Sequence, residues 1–179
     1  DRNFIGCDQL IFINKSYDYD AELNFYNSDG GNASACGNGT RCIAYFISKE
    51  KNKKEIIFKT QSGVLKSKIF ENNMVETNIG TPKFGWKEIP LNKEADNTNL
   101  GITIFDKDGI SLTGGYALSV GNPHLIFFVE KTENFELTKI GPELEKHPAF
   151  PEKCNVTLAE IKSKKLIKVK VWERGVGIT

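Results

Sequence analysis

Ala35-Cys36-Gly37-Asn38-Gly39 constrains this chain more than any other stretch, because it joins the polar turn Asn27-Ser28-Asp29-Gly30 to an apolar-periodic run over 40–49. Ile43, Ala44, Phe46 and Ile47 recur at helical spacing, which predicts an amphipathic helix with those side chains on its packed face. The glycines then fall at the helix entrance, and Cys36 stands where backbone N–H groups lack an intrahelical partner. A free thiol ionises near pH ~8.5, and the positive end of a helix favours the thiolate by lowering that value. Acid–base chemistry by sulfur near neutral pH becomes available. Gly37 and Gly39 lack a Cβ, so a ligand can approach the backbone, whose N–H groups suit a carboxylate or phosphate. A buried structural cysteine after a Gly-rich turn accounts for the same residues equally well.

The other cysteines are Cys7, Cys42 and Cys154, with Cys42 pointing to another side of the helix from Cys36. None pairs at a metal-ligand spacing and the chain has only two histidines, so no metal site is expected. Lys plus Arg total 24 against 23 for Asp plus Glu, and a net charge of +1 makes no electrostatic case for nucleic acid or an anionic membrane. The lysine clusters at 49–54 and 162–165 read as solvated loops. No apolar stretch reaches bilayer length and no signal-peptide pattern follows Asp1. With cysteines in no disulfide framework, a reducing cytoplasm is the expected location. A chain beginning with Asp rather than Met is expected to be a piece of a longer protein.

With 179 residues, 39% of them hydrophobic, the chain can build one large domain or two small ones with real cores. Strands are expected over 10–14, 21–27, 55–60, 63–70, 74–79, 102–105, 111–120, 125–130, 155–161 and 166–173, each short and bounded by turn residues. A second helix is expected over 137–146, with Pro142 in its first turn. The class is α+β dominated by antiparallel sheet, with a boundary near Pro82 that divides the chain into 1–82 and 83–179. The halves echo each other: Leu23-Asn24-Phe25-Tyr26 ends in Asn27 before a Gly-containing turn, and Val169-Lys170-Val171-Trp172 ends in Glu173 before Arg174-Gly175-Val176-Gly177.

These blocks occur in order with Asp1-Arg2-Asn3-Phe4-Ile5-Gly6-Cys7-Asp8-Gln9-Leu10, Thr40-Arg41-Cys42, Gly121-Asn122-Pro123-His124 and His147-Pro148-Ala149-Phe150-Pro151-Glu152-Lys153-Cys154-Asn155. Together, and over essentially the whole chain, they resemble diaminopimelate epimerase. The resemblance implies a diaminopimelate epimerase-like α+β fold. Its two pseudo-symmetric halves of mostly antiparallel sheet, each with a helix, hold the active site in the cleft between them. The implied activity is interconversion of LL- and meso-2,6-diaminopimelate on the route to lysine and peptidoglycan, with no cofactor. The implied enzyme is a homodimer with a small-molecule substrate. One cysteine from each half flanks the α-carbon, and the two exchange roles with the direction of reaction. Cys36 matches the first. The second belongs to an Ala-Cys-Gly motif just beyond Thr179, so the chain as given is expected to be inactive.

By the same match, His124 and Glu173 tune the protonation of the cysteines. Gly37, Asn38, Glu173 and Arg174 lie near the reacting centre, and Gln9, Asn27, Asn122 and Asn155 hold the substrate's ammonium and carboxylate groups. Amide side chains suit that task because each donates and accepts. His147 reads as structural or exposed. The chain departs from the family pattern at Ile178, where Gly-Glu-Thr is usual, and at Lys153, where arginine is common. A proline racemase-like enzyme shares the two-cysteine logic but typically carries His where Asn38 stands. A catalytically silent binding module is the non-enzymatic alternative.

Overall fold

The computed structural model describes residues 6–7, 9–27, 30–33, 36–105, 109 and 111–179; the parts of the sequence motifs at 1–5, 8, 28–29 and 35 lie outside them. Contacts divide the chain into two units, Asp1–Thr81 and Pro82–Thr179, each with its own hydrophobic core.

In the first unit, β1 (Gln9–Asn14), β2 (Ala21–Asn27), β4 (Glu55–Thr60), β5 (Gly63–Ile69) and β6 (Val75–Asn78) lie side by side, and β3 (Asn32–Ala33) pairs with the end of β2. The pairing of β2 with β4 is parallel and the others are antiparallel. A parallel pair needs a crossover, and helix α1 (Gly37–Lys51) supplies it. Alternation along β2 turns Ala21, Leu23 and Phe25 inward, where they meet Ile56 and Phe58 of β4. Burying a side chain such as Phe58, wholly removed from solvent, contributes about 1.5–3 kcal/mol.

Helix α1 buries Thr40, Ala44, Ile47 and Ser48, so Phe46, expected on the packed face, is instead 54% exposed. At 100° per residue, Phe46 projects well away from the line through Thr40, Ala44 and Ile47. Of the lysines at 49–54, expected as a loop, only Lys53 and Lys54 lie in one. Lys49 and Lys51 form the last turn of α1, where cations suit the helix dipole, and Asn52 caps it with φ 52°. Lys51 and Lys53 then converge on Asp20 Oδ1 at 3.2 and 2.7 Å, while Asp20 Oδ2 accepts the Ile57 N–H at 3.0 Å. Although partial burial opposes it, these donors hold the Asp20 carboxyl below its ordinary pKa.

The second unit holds a small hairpin, β7 (Ile102–Phe105) with β8 (Ser111–Gly114), and a five-stranded sheet. Its strands are β9 (Tyr116–Ser119), β10 (Pro123–Phe128), β11 (Asn155–Ser163), β12 (Leu166–Glu173) and β13 (Gly177–Ile178). The stretch 111–120, expected as one strand, is two. Gly114 and Gly115 take φ of +104° and +93°, which bends the chain from the hairpin into the larger sheet. Strands β10 and β11 are parallel, and helix α2 (Leu137–Glu145) crosses between them. Pro142, expected in the first turn of this helix, lies in its interior. The helix tolerates the lost backbone donor because Leu137, Ile140 and Leu144 are buried in the core, so packing outweighs local propensity.

The two units repeat one turn. After β2, the Asn27 N–H donates to Gly31 O and the Gly30 N–H to Asn27 O; Tyr26 pairs with Asn32 and Phe25 with Ala33. After β12, Glu173 pairs with Gly177, Trp172 with Ile178, the Val176 N–H donates to Glu173 O and the Thr179 N–H to Val171 O. Asn27 thus answers to Glu173, Gly31 to Gly177 and Ala33 to Thr179 in unbroken register.

Candidate functional site

In the first unit the site is built around the start of α1. Cys36 is its N-cap, with extended backbone (φ −143°, ψ 96°), and its Sγ accepts the Gly39 N–H at 3.3 Å. Its carbonyl accepts both the Thr40 N–H at 2.9 Å and the Thr40 hydroxyl at 2.8 Å. The sulfur therefore takes the place of the usual capping oxygen at the positive end of the helix. Gly37 and Gly39 serve different purposes. A Cβ on Gly37 would meet open space, in keeping with a surface that a ligand can approach. At Gly39 it would collide with Ile11 Cδ1 and lie 3.1 Å from Cys36 Sγ, so this glycine makes room for the Ile11 side chain and the thiol and not for a ligand. Asn38 is exposed, and its Oδ1 accepts a hydrogen bond from Arg41 Nη2 one turn along the helix.

Gln9 and Asn27 face each other across β1 and β2, and Gln9 Nε2 donates to Asn27 Oδ1 at 3.2 Å. Ile11, two residues on from Gln9, is the side chain against Gly39. The amide pair and Cys36 therefore occupy the same end of this sheet.

In the second unit, His124 and Asn155 sit opposite each other on β10 and β11. His124 Nε2 donates to Asn122 Oδ1 at 2.9 Å, and Asn155 Nδ2 lies 3.4 Å from both His124 Nε2 and Pro123 O. Asn155 Oδ1 accepts the Arg174 N–H at 2.9 Å. Burial, reinforced by the nearby Arg174 charge, pushes the His124 pKa below its ordinary value, so the imidazole is neutral near pH 7. Arg174 Nη1 donates to the Glu152 carbonyl at 2.8 Å. Glu173 ends β12 and is fixed by its pairing with Gly177. His147 has a structural role, its Nδ1 accepting the Ala149 N–H at 3.2 Å.

The structure thus draws the expected residues into three groups: Cys36 with Gly37 and Asn38, Gln9 with Asn27, and Asn122 with His124, Asn155 and Arg174. Ile178, the departure from the family pattern, is half exposed, and its backbone completes the pair with Trp172. Two residues escaped the sequence reading. Arg41 orients Asn38, and Glu145 receives both the Trp172 indole N–H at 2.7 Å and the Gly175 N–H at 3.3 Å. A glutamate ending a helix that has no cation in its last turn was the available signal for the second. Among the described residues no cluster of His, Cys, Asp or Glu is arranged to hold a metal, and no helix is long and apolar enough to cross a membrane.

The family model described as diaminopimelate epimerase matches residues 1–85 and 116–179. A diaminopimelate epimerase from Pelagibacter ubique is 59% identical over 179 residues, which are 100% of this chain and 65% of that protein. The corresponding protein of Rhizobium meliloti is 40% identical over 96% of this chain and 58% of its own length. The chain therefore spans less than two thirds of these relatives. Among solved structures, a hydroxyproline epimerase from Agrobacterium vitis superposes with a TM-score of 0.63 at 11% identity, covering 95% of this chain and 54% of that one. At that identity the likeness is one of fold.

Proposed function

The chain belongs to the diaminopimelate epimerase family, and on that premise we propose that the protein of which it forms part interconverts LL- and meso-2,6-diaminopimelate by proton transfer between two thiols, without a cofactor. One observation carries the reading: Cys36 caps α1 with its sulfur accepting an N–H, an environment that favours the thiolate over the thiol. Cys36 as thiolate removes the α-proton from one face. A second cysteine, which the family match supplies from the other half of the protein, gives a proton to the other. In the reverse direction the two exchange roles, so neither group crosses the ring of bonds around the α-carbon.

The α-proton of an amino acid is weakly acidic, so charge developing on the carboxylate needs donors already in place. The backbone N–H groups at the open Gly37 surface and the Asn38 amide suit that need, and Glu173 and Arg174 are further substrate contacts by the family match. Gln9, Asn27, Asn122 and Asn155 hold its ammonium and carboxylate groups. Gln9 engages Asn27 Oδ1 and so turns the Asn27 NH2 the other way, as a donor for a carboxylate. His124, held neutral, keeps a second positive charge out of its neighbourhood and, with Glu173, tunes the thiols. The family reading extends to a homodimer in the cytoplasm, where free thiols remain reduced.

The test is conversion of LL- to meso-diaminopimelate by the protein at the length of its relatives. Cys36→Ala is expected to lower turnover by at least ~10²–10⁴-fold, the scale of a lost general acid–base group. Near-normal turnover by the variant would remove Cys36 from the mechanism.

A further inference from the structure

Helix α2 carries a carboxylate where helix physics argues against one. Glu145 is its last residue and only 6% exposed, so its charge opposes the helix dipole and has lost most of its water. Both oxygens find donors in one neighbouring segment. Oε2 accepts the Trp172 indole N–H at 2.7 Å and Oε1 the Gly175 N–H at 3.3 Å. Gly141, one turn earlier on the same helix face, lies so near Trp172 that a Cβ there would come within 2.6 Å of the ring. Helix α2 therefore offers bare backbone to the indole face and a carboxylate to its N–H.

The gripped segment is the reverse turn from Glu173 to Val176, closed by the Val176 N–H donating to Glu173 O at 3.1 Å, with Gly175 at φ +75°. Positive φ at the third position marks a type II turn, which differs from type I by a flip of its central peptide. That peptide joins Arg174 to Gly175, and its N–H is the one Glu145 accepts. The preceding amide, Arg174 N–H, is accepted by Asn155 Oδ1 at 2.9 Å. Side chains from α2 and β11 thus clamp both central amides of the turn.

We propose that Glu145 is a positioning residue that fixes the orientation of Glu173 and Arg174 toward substrate, acting through the Gly175 amide and the Trp172 indole. The proposal rests on the epimerase reading, in which both residues meet diaminopimelate. In the protein at the length of its relatives, Glu145→Gln preserves shape but turns an NH2 toward one of the two donors. It is expected to raise KM for LL-diaminopimelate and lower kcat/KM by about 10- to 100-fold, the scale of a misplaced binding group. Adding Trp172→Phe removes the opposing indole donor, so the Gln oxygen can take the Gly175 N–H, and the double variant is expected to recover most of that loss.

A merely structural role predicts the reverse, with the double variant worse than either single one. Such additivity, or kcat and KM within about twofold of wild type in Glu145→Gln, overturns the proposal. Hydrogen exchange reads the clamp without substrate. Protection of the Gly175 amide should fall roughly tenfold or more in Glu145→Gln and return in the double variant. Unchanged protection overturns the clamp. Wild-type protein that leaves LL-diaminopimelate unaltered overturns the epimerase reading instead, while the exchange data still decide the clamp.

Discussion

Cys36 and Cys154 both carry a thiol, and the protein treats the two in opposite ways. Cys36 is half-buried at a helix start, where its sulfur accepts an N–H at the positive end of α1. Cys154 is fully buried in the core of the second unit and donates its S–H to Leu144 O at 3.5 Å, while loss of water and the nearby Glu145 charge push its pKa up to about 12. One surrounding favours negative charge on sulfur and the other forbids it through the neutral range. What makes a cysteine a candidate for chemistry is therefore the group facing its sulfur. Abundance of apolar neighbours marks the inert one.

Substitution tests this contrast most severely. Cys36→Ala should abolish epimerisation. Cys154→Ala should leave kcat/KM within a few-fold while costing about 1 kcal/mol of stability, measured by denaturant unfolding. A large loss of turnover from Cys154→Ala in folded protein would break the comparison. Chemical labelling sharpens it. Iodoacetamide at pH 7 should modify Cys36 faster than Cys42, although Cys42 is the more exposed, and should leave Cys154 untouched until the protein unfolds. Equal rates at Cys36 and Cys42 in folded protein would count against a thiolate-favouring surround.

The smallest effect concerns the histidine beside Arg174. Because the folded state depresses the His124 pKa, its contribution to stability is complete above the unfolded value near ~6.5 and is lost as pH falls through that value toward the folded one. His147, also depressed, acts with the same sign. His124→Gln should therefore flatten, without removing, the decline in urea midpoint between pH 8 and pH 5.5. An unaltered decline would mean that His124 titrates alike in both states.

Much of the fold was legible because it rests on local pattern. The alternation of Ala21, Leu23 and Phe25 marks a half-buried strand, and Cys36 with its glycines marks a helix entrance. Readings failed where distant packing decided. Phe46 looks like a core residue by spacing, yet the sheet meets a different face of α1. Pro142 reads as a helix start, yet Leu137 and Ile140 are buried ahead of it and extend the helix backward. Within the site, the residue types and their order were readable, whereas their partners were not. Nothing local announces that Asn155 holds the Arg174 amide, or that Glu145 reaches the Gly175 amide across the space between a helix and a turn.

The measurement that bears most directly on the two-thiol account is α-proton exchange in D2O, followed by NMR, with LL-diaminopimelate and the protein at the length of its relatives. The account predicts meso product carrying deuterium at the inverted carbon, because the incoming proton comes from a thiol equilibrated with solvent, and neither exchange nor meso product with Cys36→Ala. Protium retained at that carbon, or no exchange at all from folded and reduced wild-type protein, would contradict it.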